Sequence, residues 1–147
     1  MKASTNTFTI RFDARSCNEA FARGVVSAFV AQLDPTITEL ADIKTAVSEA
    51  VTNCIVHAYR DTVGKIYITG SISGDTVRIA VRDTGAGIED IALAMTPEYT
   101  TAPEGERSGL GFSVMAAFMD RVRVRSRPGK GTTVTLTKRI RSRSRTA

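Results

Sequence analysis

The sequence predicts an α+β fold, a two-layer sandwich in which a mixed, mainly antiparallel sheet carries helices on one face. Three observations predict it. Five short stretches alternate apolar and polar residues, the period of half-buried strands. Two longer stretches repeat apolar residues at helical spacing. Strands and helices come grouped rather than in strict alternation, which argues against a parallel βαβ sheet.

The elements follow in order. "TFTIRFDA" (7–14) places Phe8, Ile10 and Phe12 on one strand face. Ser16 is positioned to cap a helix over 17–33, with Phe21, Val25, Ala28 and Phe29 at helical spacing. "DPT" (34–36) breaks it, and a second helix runs from Ile37 to Tyr59. Its apolar stripe is Ile37, Leu40, Ile43, Val47, Ala50, Val51, Cys54 and Ile55. "KIYITGSI" (65–72) and "DTVRIAVRD" (75–83) form a hairpin around Ser73-Gly74. Residues 88–108 are rich in Thr, Pro and Glu and read as a short helix followed by a mobile loop. "GLGFSVMAAFMD" (109–120) becomes an apolar helix with Phe112, Met115, Phe118 and Met119 on its core face. "RVRVRSR" (121–127) and "TTVTLTKRI" (132–140) form a last hairpin through "PGKG". One domain over 1–140 is expected, with 141–147 as a basic, disordered tail.

Composition narrows the class. With 147 residues, 42% of them apolar, the chain builds the core of one domain. It has no run of about 18–20 apolar residues to span a membrane. The N-terminus has no apolar run flanked by a cleavage site, so no signal peptide is expected and the location read is cytoplasmic. Cys17 and Cys54 are in no CxxC pair and the single histidine makes no cluster, so neither a zinc site nor a disulfide framework is expected. Both read as ordinary thiols, Cys54 in the core. His57 reads as a hydrogen-bonding residue at a helix end.

The net charge of +5 is unevenly spread: residues 1–120 hold 10 Lys+Arg and all 15 Asp+Glu, whereas 121–147 hold 10 basic residues and no acid. Outward strand positions and a solvated tail account for such a block, and so does an acidic partner. No aromatic residue stands among these cations to stack bases, so direct nucleic-acid binding is not expected.

Three local patterns remain. Glu49 and Asn53 stand four apart on the second helix. At ~100° per residue they lie about 40° apart and both point away from the apolar stripe. From the stripe alone this is a solvated face. Asp83, Gly85 and Gly87 form D-x-G-x-G just past a strand, by itself also a common turn. Gly109 and Gly111 open a helix. Together they match what a bound nucleotide requires. Glycines allow close approach to phosphates and a helix start favours anions. An asparagine oxygen with phosphate oxygens and water satisfies magnesium. A carboxylate one turn away can deprotonate a hydroxyl. A strand-end aspartate can accept from an exocyclic amine. Gly105 and the residues before it make a plausible lid. There is no GxxxxGK[ST] loop.

These three boxes, in this order, resemble the GHKL (Bergerat-fold) ATPase superfamily of histidine kinases and gyrase B subunits. "AFVAQLDPTITELADIKTAVSEAVTNCIVHAY", "VRDTGAGIED" and "ERSGLGFSVMAAFMD" with "GTTVTLTK" are similar, more closely, to its small serine-kinase anti-sigma factors from endospore-forming bacteria. The likeness spans about residues 8–140; the arginine-rich strand and tail depart from the pattern. It implies a protein serine/threonine kinase using ATP/ADP and Mg2+, with a sporulation sigma factor and an anti-anti-sigma substrate as partners. It also implies a homodimer formed around the first strand and helix. In this sequence it implies Glu49 as catalytic base, Asn53 as magnesium ligand, Asp83 as the adenine-binding aspartate, and Gly85 and Gly87 in the pocket floor. Gly109 and Gly111 fall on the phosphate side. Arg107 falls at the γ-phosphate, Thr133 near adenine, and Arg23 at the partner surface. The alternatives are a nucleotide-switched binding module without kinase activity, a detached histidine-kinase catalytic domain and a basic nucleic-acid-binding protein.

Overall fold

The structure, a computed structural model, describes residues 5–95 and 111–141. Residues 96–108 of the expected lid, Arg107 among them, lie outside these residues, as do Gly109 and the tail beyond 141.

The chain order is β1 (Thr5–Asp13), α1 (Asn18–Val30), α2 (Ile37–Asn53), β2 (Lys65–Ser73), β3 (Thr76–Asp83), α3 (Ile91–Ala94), α4 (Phe112–Phe118), β4 (Arg121–Arg127) and β5 (Gly131–Arg139). The five strands form one sheet in the order β1-β2-β3-β5-β4. Every pairing is antiparallel. The last hairpin is thus inserted with its second strand against β3.

Alternation decides which sheet face the helices cover. Ile66, Ile68 and Ile72 of β2, Val77, Ile79 and Val81 of β3, and Val134 and Leu136 of β5 are buried under the helices. Ile43, Ala46, Val47, Ala50 and Val51 of α2 meet them. Burying one such Ile or Leu side chain contributes ~1.5–3 kcal/mol. The opposite strand positions are mostly arginines, threonines and serines, with Lys65, Tyr67, Ala80 and Asp13 among them.

The helices differ in detail from the sequence expectation. α1 buries Ala22, Val26, Phe29 and Val30, whereas Phe21 and Ala28 are exposed. The inward stripe is therefore turned one position along the helix from the one its phenylalanines mark. Cys17, not Ser16, is the N-cap residue, and no side chain caps α1. A 3-10 turn, Ala31–Leu33, closes α1 before Asp34 takes a left-handed conformation (φ 51°). Thr36 then caps α2 in a capping box with Glu39. Ile37, expected in the apolar stripe, is 89% exposed because it belongs to the first turn, ahead of the packed face. α2 ends at Asn53 and passes into a π-helical turn, Cys54–Ala58, closed by Tyr59 N–H donating to Cys54 O at 3.2 Å. Such wide turns inside helices occur often at functional sites. Phe112, Met115 and Met119 are buried as expected, and Phe118 is half-buried.

Candidate functional site

A cavity of about 300 Å³ opens between the end of α2, the loop after β3 and the start of α4. α2 and its π-turn contribute Asn53, Cys54 and His57; β3 contributes Asp83; β5 contributes Thr132. Ala50, Val81, Phe112 and Val134 supply apolar wall.

Asp83 is the last residue of β3 and only 5% exposed. A buried carboxylate is stable only if hydrogen-bonded. Its Oδ1 accepts from the Gly85 N–H at 2.9 Å and the Thr132 N–H at 3.2 Å. Its Oδ2 accepts from the Cys54 thiol at 3.5 Å. Burial pushes the Asp83 carboxyl above its ordinary range, against the lowering pull of the Gly85 N–H, the Cys54 thiol and the Thr132 N–H. Burial likewise holds the Cys54 thiol well above its ordinary value, and the neighbouring Asp83 charge adds to this.

The D-x-G-x-G loop is clamped from two sides. On one side the Ala86 N–H donates to Ala58 O at 3.1 Å, and a Cβ at Gly85 would strike the Ala58 backbone. On the other the Gly129 N–H donates to Ala86 O at 2.6 Å, and Gly87, at φ 77°, lies against the Arg127 carbonyl and Pro128. These glycines are required by protein packing on protein, with the π-turn supplying the Ala58 carbonyl. Tyr59 fixes the strand end: its hydroxyl donates to Lys65 O at 2.7 Å and accepts from the Thr84 N–H at 2.7 Å. The Ile88 N–H donates to Ser126 Oγ at 2.7 Å, and Ser126 Oγ lies 2.7 Å from Thr132 Oγ1.

Asn53 Oδ1 is buried at the cavity wall. Glu49 is half-buried one turn earlier and does not itself line the cavity. It packs against Gly111 (φ 71°), whose neighbour Phe112 does line it; a Cβ at Gly111 would come within 3.1 Å of the Glu49 carboxyl carbon.

The sequence-derived set thus divides. Asn53, Asp83 and Gly87 line one cavity, and Gly85 shapes its loop. Gly111 and Glu49 meet beside it. Arg107 and Gly109 lie outside the described residues. Arg23 is on α1, away from the cavity, in an ion pair with Glu19 at 3.1 Å. The threonine expectation is corrected: Thr132 and not Thr133 meets Asp83. Arg82 pairs with Thr133, so β5 turns Thr133 to the open face. Alternation carried the signal, since Thr132 has the parity of Val134 and Leu136. Cys54 as a partner of Asp83 had no sequence signal, because the two are 29 residues apart. His57, in the π-turn, also lines the cavity.

The residues fit a magnesium nucleotide. A buried carboxylate at the end of an apolar slot suits a flat base with an exocyclic amine, and Asn53 Oδ1 is the hard oxygen such an ion takes. Among the described residues there is no group of three or more His, Cys, Asp or Glu able to hold a metal unaided. A magnesium shared with phosphate oxygens needs none.

This arrangement defines a class, and comparison with known proteins agrees. Residues 12–138 match the histidine kinase-like ATPase domain family. Two relatives at higher identity refine it. The anti-sigma F factor of Thermoanaerobacter sp. (strain X514) is 59% identical over 122 residues, 83% of this chain and 85% of that protein. That of Caldanaerobacter subterraneus subsp. tengcongensis is 57% identical over 121 residues, 82% of this chain and 85% of that protein. The chain belongs to the anti-sigma F factor family. Among solved structures, the RsbU and RsbW domains of Rv1364c from Mycobacterium tuberculosis superpose at TM-score 0.68 and 25% identity, covering 92% of this chain but 32% of that longer one. The catalytic domain of histidine kinase ThkA shares the fold, at TM-score 0.57 and 18% identity over 90% of this chain and 96% of that one. No helix among the described residues is long and apolar enough to cross a membrane.

Proposed function

We propose that this protein is a cytoplasmic anti-sigma factor that sequesters a sporulation sigma factor and is also an ATP-dependent serine kinase. As a kinase it phosphorylates, and so inactivates, the anti-anti-sigma protein that opposes it. The observation that carries the reading is the convergence of Asp83, Asn53 and the Glu49–Gly111 contact around one cavity, in a chain of this family.

Asp83 Oδ2, steadied by the Cys54 thiol, accepts from the adenine amine. Asn53 Oδ1 would hold magnesium, which neutralises phosphate charge when bound. Glu49 takes the proton from the incoming serine hydroxyl as its oxygen bonds to the γ-phosphorus; the bond to the ADP oxygen breaks and its electron pair leaves with ADP. Arg107 meets the γ-phosphate, and Gly109 and Gly111 flank the phosphates. Arg23 contacts the sigma factor or its antagonist. The protein works as a homodimer through β1 and α1, a reading supported by the 50% exposure of Phe21 on α1.

The test is incubation with labelled ATP, magnesium and a candidate anti-anti-sigma protein, beside Glu49→Ala and Asn53→Ala. Serine phosphate on the partner, lost or strongly reduced in both variants, is expected. ATP binding without labelling would overturn the kinase reading in favour of a nucleotide switch. Absence of nucleotide binding would overturn the site.

A further inference from the structure

We propose that the open face of the sheet binds duplex nucleic acid through its phosphate backbone, without reading bases. The face is built by register. Arg121, Arg123, Arg125 and Arg127 of β4 point outward and are exposed. Arg78 and Arg82 of β3 and Arg11 of β1 are exposed on the same face. Strand pairing sets them in rows: Arg125 beside Thr133, Thr133 beside Arg82, Arg82 beside Tyr67, and Tyr67 beside Arg11. A second row joins Arg121, Thr137, Arg78 and Ser71. Of the strand residues on this face one is acidic, Asp13 at the β1 edge, and it is bound to Lys65.

Charge and chemistry choose the occupant. Arginines interleaved with threonine and serine hydroxyls are the groups that contact phosphates. Alternate residues of β4 repeat at ~6.8 Å, so its four arginines span ~20 Å. That is the length of roughly six nucleotides along one strand of a duplex. An acidic protein or an anionic bilayer would meet the same charges; the regular arginine spacing along β4 and the interleaved hydroxyls favour a phosphate backbone, and both other occupants are arms of the test. Among the described residues the large exposed apolar ones, Phe21, Ile37, Val63, Leu93 and Val114, all lie outside the sheet. A single strand would need free aromatic rings, and the ring of Tyr67 is covered by Arg82 at 4.0 Å. Two copies of the face repel, so it is not a self-association surface. The expectation of no direct nucleic-acid contact weighed only the C-terminal block; folding adds the arginines of β1 and β3 to it. The nucleotide cavity is on the helix side, so this binding is independent of ATP.

The test is fluorescence anisotropy of the full chain with a labelled DNA duplex of roughly 30 base pairs, from about 50 to 200 mM salt. A log–log salt slope of about −4.5, from some five phosphate contacts, is expected. Replacing Arg121, Arg123, Arg125 and Arg127 together by Gln weakens binding tenfold or more, by loss of those contacts. The pair Arg78→Gln and Arg82→Gln, on another strand, also weakens it. Lys44→Gln, exposed on α2, leaves it within twofold, and magnesium ATP has no effect. Circular dichroism verifies that each variant is folded. Absence of binding at the lowest salt, wild-type binding by the fourfold variant, or equal affinity for a polyglutamate peptide or phosphatidylserine vesicles would each overturn the proposal.

Discussion

The backbone N–H of Thr132 donates to Asp83 Oδ1 at 3.2 Å across 49 residues of chain. This bond joins β5 to the end of β3 and leaves Thr133, one residue on, facing away from the cavity. Its consequence is a contrast between adjacent threonines. Thr132→Val removes the hydroxyl that meets Ser126 and loosens the cavity wall, lowering stability by about 0.5–1.5 kcal/mol. Nucleotide affinity should fall several-fold by calorimetry, with Thr133→Val within twofold of wild type. Equal effects would refute the assignment.

Asp83→Asn should weaken nucleotide binding at least tenfold, since hydrogen bonds to charged groups contribute ~1.5–3 kcal/mol. The pH dependence has a definite sign. Burial raises the native Asp83 pKa, so the native state binds this proton more tightly than the unfolded chain. This residue therefore favours folding at low pH, and that contribution is lost as pH rises through its raised native pKa. Denaturant midpoints should show this decline in wild type and not in Asp83→Asn. Nucleotide affinity runs the other way: it falls as pH drops through the same raised pKa, because a protonated Asp83 is a poorer acceptor.

Glu49→Gln keeps the shape of the contact with Gly111 but removes the base. Phosphoryl transfer should fall by roughly 10²–10⁴-fold with nucleotide Kd little changed. A rate within threefold of wild type would exclude Glu49 as the base.

Gly87→Ala puts a Cβ against the Arg127 carbonyl at a φ of 77°. The left-handed conformation alone costs ~1–2 kcal/mol, so the melting temperature should drop clearly. An unchanged Tm would show that the loop can move away from the β4–β5 turn.

The two cysteines should separate in a labelling experiment. Cys17 is exposed and Cys54 is buried with its thiol held protonated. Iodoacetamide should modify Cys17 in the folded protein and Cys54 only after denaturation. Nucleotide binding should survive the first modification.

Local order was legible because it is written in periodicity. Alternation located all five strands, and helical spacing with Thr36 and Asp34 located α1 and α2. Parity along β5 carried the difference between Thr132 and Thr133, since alternate strand residues face opposite ways, but the resemblance pointed to Thr133. The π-turn was not legible, because an apolar helix end reads alike whether its last turn is α or π. The Cys54–Asp83 pair was not legible because helix packing, rather than spacing, brings the thiol to the carboxylate.

By itself the sequence determined the two-layer α+β class, the three boxes and the family resemblance they carry. These depend on residues near one another in the chain. The tertiary structure decided what depends on pairing between distant strands. Inserting β5 between β3 and β4 brings Thr132 to Asp83. The same insertion aligns the arginines of β4 with those of β3 and, across β2, of β1, on the face away from the cavity. Hairpins announce their own pairing through short turns, whereas the β3–β5 contact is selected by burial of a common apolar face.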